Sequence, residues 1–183
     1  MIFLLVSCAT TQKNINADRS IKVNVSYFKN VPLLPTENLF RPVHDVYELN
    51  VNLKEKRHSY IISLKADKTL VHIMFLNKEK GAMPEIRYDD KGIKLSDIDF
   101  PAGITSQEII AQFQWCFYKV GDVAKVFSEN GLRLAIETEH TSNKEIRRIY
   151  DKEKCIIEIS NSPSLIRFID HKKRHSYVLI PIR

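Results

Sequence analysis

The sequence predicts a mostly β, α+β fold: a curved antiparallel sheet or incomplete barrel of about ten or eleven strands, with helices packed across its concave face. Three observations lead there. Apolar and polar residues alternate along most of the chain, short polar turns separate the alternating runs, and one central segment changes to helical periodicity behind a capping signal.

The stretch Ile21 to Phe28 (IKVNVSYF) alternates weakly and reads as a first strand. The following VPLLPTENLFRPVHD carries three prolines, which lack the amide a ladder needs, and is expected to form an irregular wrap. From Tyr47 the pattern is regular: YELNVNL sets Tyr47, Leu49, Val51 and Leu53 on one face and Glu48, Asn50 and Asn52 on the other. Ser59 to Leu64 and Thr69 to Leu76 follow after short charged turns, as in an antiparallel meander. PEIRYDDKGIKL reads as two short strands around Asp90-Lys91-Gly92.

Thr105 to Glu108 (TSQE) matches a capping box, so a helix is expected to start there. Ile109, Ile110, Phe113, Cys116, Phe117 and Val120 fall on one helical face, with Trp115 and Tyr118 roughly opposite. A helix apolar nearly all round is buried on more than one side. Gly121-Asp122 is expected to interrupt it, with Asp122 capping a second helical segment through Phe127 and Asn130-Gly131 supplying a left-handed stop. Strands then resume at LRLAIET (Leu132 to Thr138) and continue through EIRRIY, KCIIEIS, SLIRFID and HSYVLIPIR. The pentapeptide KRHSY occurs at Lys56 to Tyr60 and again at Lys173 to Tyr177. A paired ligand site or simple hairpin turns leading into strands would account for it, and turns are the more economical reading.

At 183 residues the chain has the length of one domain plus a tail, and no region is low-complexity. Lys plus Arg exceed Asp plus Glu by 28 − 22 = 6, but the charges are dispersed and the densest run is only His171 to His175, so nucleic-acid binding is not expected. No run approaches the roughly 18 apolar residues of a spanning helix. The six histidines lack metal-ligand spacing, no CxxC pair occurs, and GxSxG, P-loop and dinucleotide patterns are missing, so neither metal nor cofactor nor enzymatic activity is expected. Carboxylates two apart, such as Asp97 and Asp99 or Glu137 and Glu139, would keep a strand face wet. Cys116 and Cys155 lie in apolar patterns typical of buried free thiols.

Near the N-terminus, LVSC (Leu5 to Cys8) resembles the lipobox of bacterial lipoprotein precursors: an aliphatic residue, a variable one, a small one, then cysteine. The resemblance implies a signal peptide cut before Cys8, diacylglycerol on its sulfur and a further acyl chain such as palmitate on its amino group. Several chains give stable anchoring where one does not. No Lys or Arg precedes Cys8, which points to a start codon placed late or a trimmed sequence. The expected organisation is a signal remnant over 1–7, a lipid-anchored flexible tether over 8–20 and one domain over 21–183. Ala9, in place of an inner-membrane retention aspartate, implies a periplasm-facing outer-membrane location.

The order of elements, together with the block Ile109 to Thr138, IRRIYDKEKCIIEI and the terminal YVLIPIR, resembles the lipoprotein-localisation factors LolA and LolB. More closely, it looks like a family of small lipoproteins thought to share their fold. The resemblance implies a half-barrel whose helix-lidded apolar cavity binds or transfers a lipid or acylated ligand in the cell envelope. Ile73, Phe75, Phe113 and Trp115, with Phe117, Tyr118 and Phe127, are the candidates to line it, or alternatively to fill a core. The connection Asn77 to Pro84 carries only Ala82 and Met83 as apolar side chains, which weighs against the membrane-inserting loop of LolB. A non-catalytic scaffold lipoprotein for envelope partners is the alternative, and an accessory hydrolase a third possibility.

Overall fold

A computed structural model of the chain describes residues 13–15, 21–53, 56–76, 84–95 and 104–182. Its strands are β1 (Lys13–Ile15), β2 (Lys22–Ser26), β3 (Lys29–Pro32), β4 (Val43–Leu53), β5 (Lys56–Ala66), β6 (Val71–Leu76), β7 (Glu85–Asp89) and β8 (Gly92–Leu95). Two helices follow, α1 (Ser106–Phe117) and α2 (Val120–Glu129). The chain ends in β9 (Arg133–Glu139), β10 (Lys144–Asp151), β11 (Lys154–Asn161), β12 (Ile166–Asp170) and β13 (His175–Pro181).

Eleven strands form one antiparallel sheet in the order β1-β8-β7-β6-β5-β4-β13-β12-β11-β10-β9. It is two meanders, β4 to β8 and β9 to β13, joined along β4 and β13. The sheet is open, because its end strands β1 and β9 do not meet. The expectation of a mostly β, antiparallel and unclosed sheet therefore holds. The chain between β8 and β9, which contains both helices, links opposite ends of the strand order.

Short turns enforce the meander. Between β5 and β6 the Asp67 carboxylate accepts from the Thr69 N–H at 2.8 Å and the Leu70 N–H at 3.0 Å. Between β7 and β8 the Asp89 carboxylate accepts from the Lys91 N–H at 2.8 Å, and Gly92 takes a φ of 104° that a side chain would oppose.

The first expected strand is half of a hairpin. β2 and β3 pair as a separate two-stranded sheet, so the start of the proline-rich stretch is ladder and its end belongs to β4. Pro32 is tolerated because it ends its strand at the edge of a two-stranded sheet. Between them the wrap is irregular apart from a 3-10 turn, Thr36–Asn38, and side chains from elsewhere satisfy its backbone. Gln114 accepts from the Leu34 N–H at 2.8 Å and donates to the Leu34 carbonyl at 2.6 Å, and the Tyr88 hydroxyl donates to that carbonyl at 3.0 Å.

Within the segment expected as a tether, Lys13–Ile15 pair with β8. The signal remnant and the rest of the tether lie outside the described residues.

Thr105 caps α1 as the sequence predicts: its hydroxyl accepts from the Glu108 N–H at 3.2 Å, and the Glu108 carboxylate accepts from the Thr105 N–H at 3.1 Å. The helix breaks at Tyr118-Lys119 rather than Gly121-Asp122, and Lys119, not Asp122, is the cap residue of α2. The cause is non-local. Tyr118 is extended and bridges to Leu39, while the buried Arg147 guanidinium donates to the Trp115 carbonyl at 2.7 Å, satisfying an acceptor the ended helix leaves open. Gly121 is simply a residue of α2 with open space beside it. At the far end Leu132 N–H donates to the Phe127 carbonyl and Gly131 N–H to the Ser128 carbonyl, with Gly131 at φ 70°. That Schellman arrangement is the stop expected at Asn130-Gly131.

Among the described residues no helix is long and apolar enough to cross a membrane.

Candidate ligand cavity

α1 presents Ile109, Gln112, Phe113, Cys116 and Phe117 along one stripe, the spacing of three and four that stacks side chains on one helical face. Facing it, β4 supplies Leu49 and Val51, β5 Ile62 and Leu64, and β6 Ile73 and Phe75. β12 adds Ile166 and Phe168, and β13 adds Tyr177 and Leu179. These residues share one sheet face because the register opposes them: Leu64 to Ile73, Ile62 to Phe75, Val51 to Tyr177, and Phe168 to Tyr177. Together with Ile104 they line a partly open cavity of about 90 Å³.

The lining is almost wholly apolar. Among the described residues Gln112 is its one amide, and Tyr177 brings a phenol to the same lining. Burial pushes the Tyr177 phenol up to about 12. Burial likewise pushes the Cys116 thiol up to about 12, against a smaller opposing pull from Arg147. The thiol is therefore protonated at neutral pH and a poor nucleophile. Among the described residues the lining holds no carboxylate and no imidazole. Among the described residues no group of three or more His, Cys, Asp or Glu is placed to hold a metal ion.

Of the residues singled out in the sequence, Ile73, Phe75, Phe113 and Phe117 line the cavity, with Phe113 and Phe117 stacked at 4.8 Å between ring centroids. Trp115, Tyr118 and Phe127 are buried elsewhere. The Trp115 ring lies 5.4 Å from that of Phe127 and 6.3 Å from that of the cavity residue Phe168. Tyr118 meets Phe113 edge-on at 6.0 Å, and its hydroxyl finds no hydrogen-bond partner among the described residues, the nearby Gln114 amide being committed to Leu34. The helical face read from sequence already separates Trp115 and Tyr118 from Phe113 and Phe117. Helical phase, not aromaticity, sorts lining from core. The alternation of Tyr47 to Leu53 already sets Leu49 and Val51 on one face, and only what that face meets is not legible.

Cys116 and Cys155 are both free thiols. Cys8, Asp97, Asp99 and most of the Asn77 to Pro84 connection lie outside the described residues. Glu137 and Glu139 are exposed on the edge strand β9, where Glu137 pairs with Arg148 at 2.8 Å.

No protein-family model and no curated protein matches the chain.

Proposed function

We propose that this chain is a lipoprotein anchored through acylated Cys8 in the outer membrane, facing the periplasm, and that its domain binds or transfers a lipid or acylated ligand without covalent catalysis. In this reading the open sheet is a LolA/LolB-like half-barrel with its helices across the concave side. The observation that supports it is the apolar cavity between α1 and the sheet. A solid core would leave no such space, since protein interiors otherwise close to crystal-like density.

The volume sets the terms of binding. At about 90 Å³ the cavity is smaller than the ~150 Å³ that admits a benzene ring, so a long chain enters only as α1 yields outward. The experiment is native mass spectrometry of the Cys8→Ala protein, which lacks its own lipid anchor, purified without detergent from the periplasmic fraction. Co-purified acyl species, lost on Phe113→Trp, are expected. A ligand-free spectrum together with no change in melting temperature on adding fatty acid would sink the proposal.

A scaffold role is favoured by a different observation: Tyr27 and Phe28 at the β2–β3 tip and Phe40 in the wrap are large exposed aromatics, Phe28 at 99% exposure. Such side chains outside a core suit a protein partner.

A further inference from the structure

The amide and the phenol of the lining come from two elements that meet at one end of the cavity. Glu108, Gln112 and Cys116 are spaced four apart on α1 and stack along one stripe, with Gln112 and Cys116 in the lining. Phe168 and Tyr177 oppose each other across β12 and β13, and both line the cavity. The next pair outward on that same face is Asp170 and His175. In the turn between these strands the Lys173 ammonium is held by the Glu108 carboxylate, and the Lys173 N–H donates to Asp170 at 2.8 Å. One end of the apolar lining therefore carries an amide and a phenol in its wall, with two carboxylates just beyond them.

The charges at that end do not suit an anion. The nearest ammonium, Lys173, is already paired with Glu108, and Asp170 is itself buried. β5 and β13, which carry the two KRHSY copies, flank β4, and the first copy sets His58 and Lys56 farther out along the face, Lys56 being exposed. Tyr177 registers the sign of the local field. Burial pushes its phenol up, the Gln112 side chain opposes that push, and the negative charges of Glu108 and Asp170 add to it.

The two neutral groups offer donors instead. A carboxamide has two N–H groups and a phenol one O–H, so even a hydrogen bond between Gln112 and Tyr177 leaves two donors for a ligand. Tyr177 is buried among apolar residues, where water competes little for a carbonyl oxygen.

We propose that Gln112 and Tyr177 form a recognition site for an uncharged acyl head, the carbonyl of an ester, so that the cavity takes an esterified chain in preference to the free fatty acid anion. This rests on the acyl-ligand reading above and gives it a chemical class. The ester oxygen accepts from the Gln112 amide and the Tyr177 hydroxyl while its chain lies along the α1 stripe. A carboxylate in the same place loses its hydration beside Glu108 and Asp170, with the nearest ammonium already engaged.

The test titrates methyl octanoate and sodium octanoate into the full chain carrying Cys8→Ala at neutral pH. The readout is the fluorescence of Trp115, the only tryptophan, whose ring lies 6.3 Å from that of the lining residue Phe168. The ester is expected to bind about tenfold more tightly than octanoate. Tyr177→Phe and Gln112→Leu, each verified as folded by circular dichroism melts, should weaken the ester about fivefold and leave octanoate unchanged. Glu108→Gln keeps the capping box, which accepts glutamine, and removes one charge, so it should tighten octanoate about threefold and leave the ester unchanged. Equal affinities for the two ligands, an ester affinity untouched by both Tyr177→Phe and Gln112→Leu, or an octanoate affinity unmoved by Glu108→Gln overturns the ester site and leaves the acyl cavity standing. Tighter binding of octanoate than of the ester overturns it in favour of an anion site. Binding of neither ligand overturns both readings.

Discussion

The Gln114 side chain stands in for a strand: it accepts from Leu34 N–H and donates to Leu34 C=O, pinning the proline-rich wrap to α1 from a position only 1% exposed. Replacing it with an apolar residue of similar size leaves the Leu34 amide without its partner. Gln114→Leu is expected to lower stability by about 2 kcal/mol, a buried donor left unsatisfied costing about that much. Urea denaturation measures it, and a loss below about 0.5 kcal/mol would mean that water replaces the amide. Nothing in the local sequence marks this glutamine, which sits among apolar neighbours on a helix whose partner is eighty residues upstream. Arg147 is similar: it reads as a strand residue, and its role in ending α1 depends on a carbonyl thirty-two residues away.

Asp151 ties the β2–β3 hairpin to the sheet, accepting from Lys29 Nζ at 2.6 Å and from the Ser26 hydroxyl. Those contacts hold the Asp151 carboxyl below its ordinary range, the Lys29 hydrogen bond foremost. At the tip Phe28 has φ 61°, a left-handed conformation that costs a bulky residue about 1 kcal/mol and that asparagine tolerates. Its ring is almost wholly exposed, so folding gains nothing from it. Phe28→Asn is expected to raise stability by up to about 1 kcal/mol, read from the urea midpoint. Clear destabilisation would show that the ring packs in solution. Elements with local signals are legible in the amino-acid pattern: the Thr105 capping box, the Asn130-Gly131 stop and the alternation from Tyr47 to Leu53 all reappear in the fold. The hairpin partner β3 is not, because a four-residue ladder running into prolines has no periodicity to read.

Across the whole molecule, burial leaves several weak acids protonated in the fold. Burial moves the Cys116 thiol from 9.0 to about 12, and the Tyr47 and Tyr177 phenols from 10.0 to about 12, with Asp45 adding to the effect at Tyr47. Above pH 9 the unfolded chain loses protons that the native chain keeps, so the stability these groups confer is intact below pH 9 and declines as pH rises towards 12. Cys116 alone contributes on the order of 1 kcal/mol per pH unit in that window. Urea midpoints at pH 8 and pH 10.5 should differ, the alkaline one lower, and equal midpoints would refute the burial of these groups. The strand faces, the start of α1, the stop after α2, the antiparallel order and the apolar stripe of α1 follow from the amino-acid pattern alone, because each depends on neighbours within one or two turns of chain. The point at which α1 breaks, the choice of aromatics that face the cavity and the placement of both KRHSY copies beside β4 come from tertiary packing. Those outcomes depend on which distant surfaces meet, and a period of two or 3.6 residues carries no information about the partner across the gap.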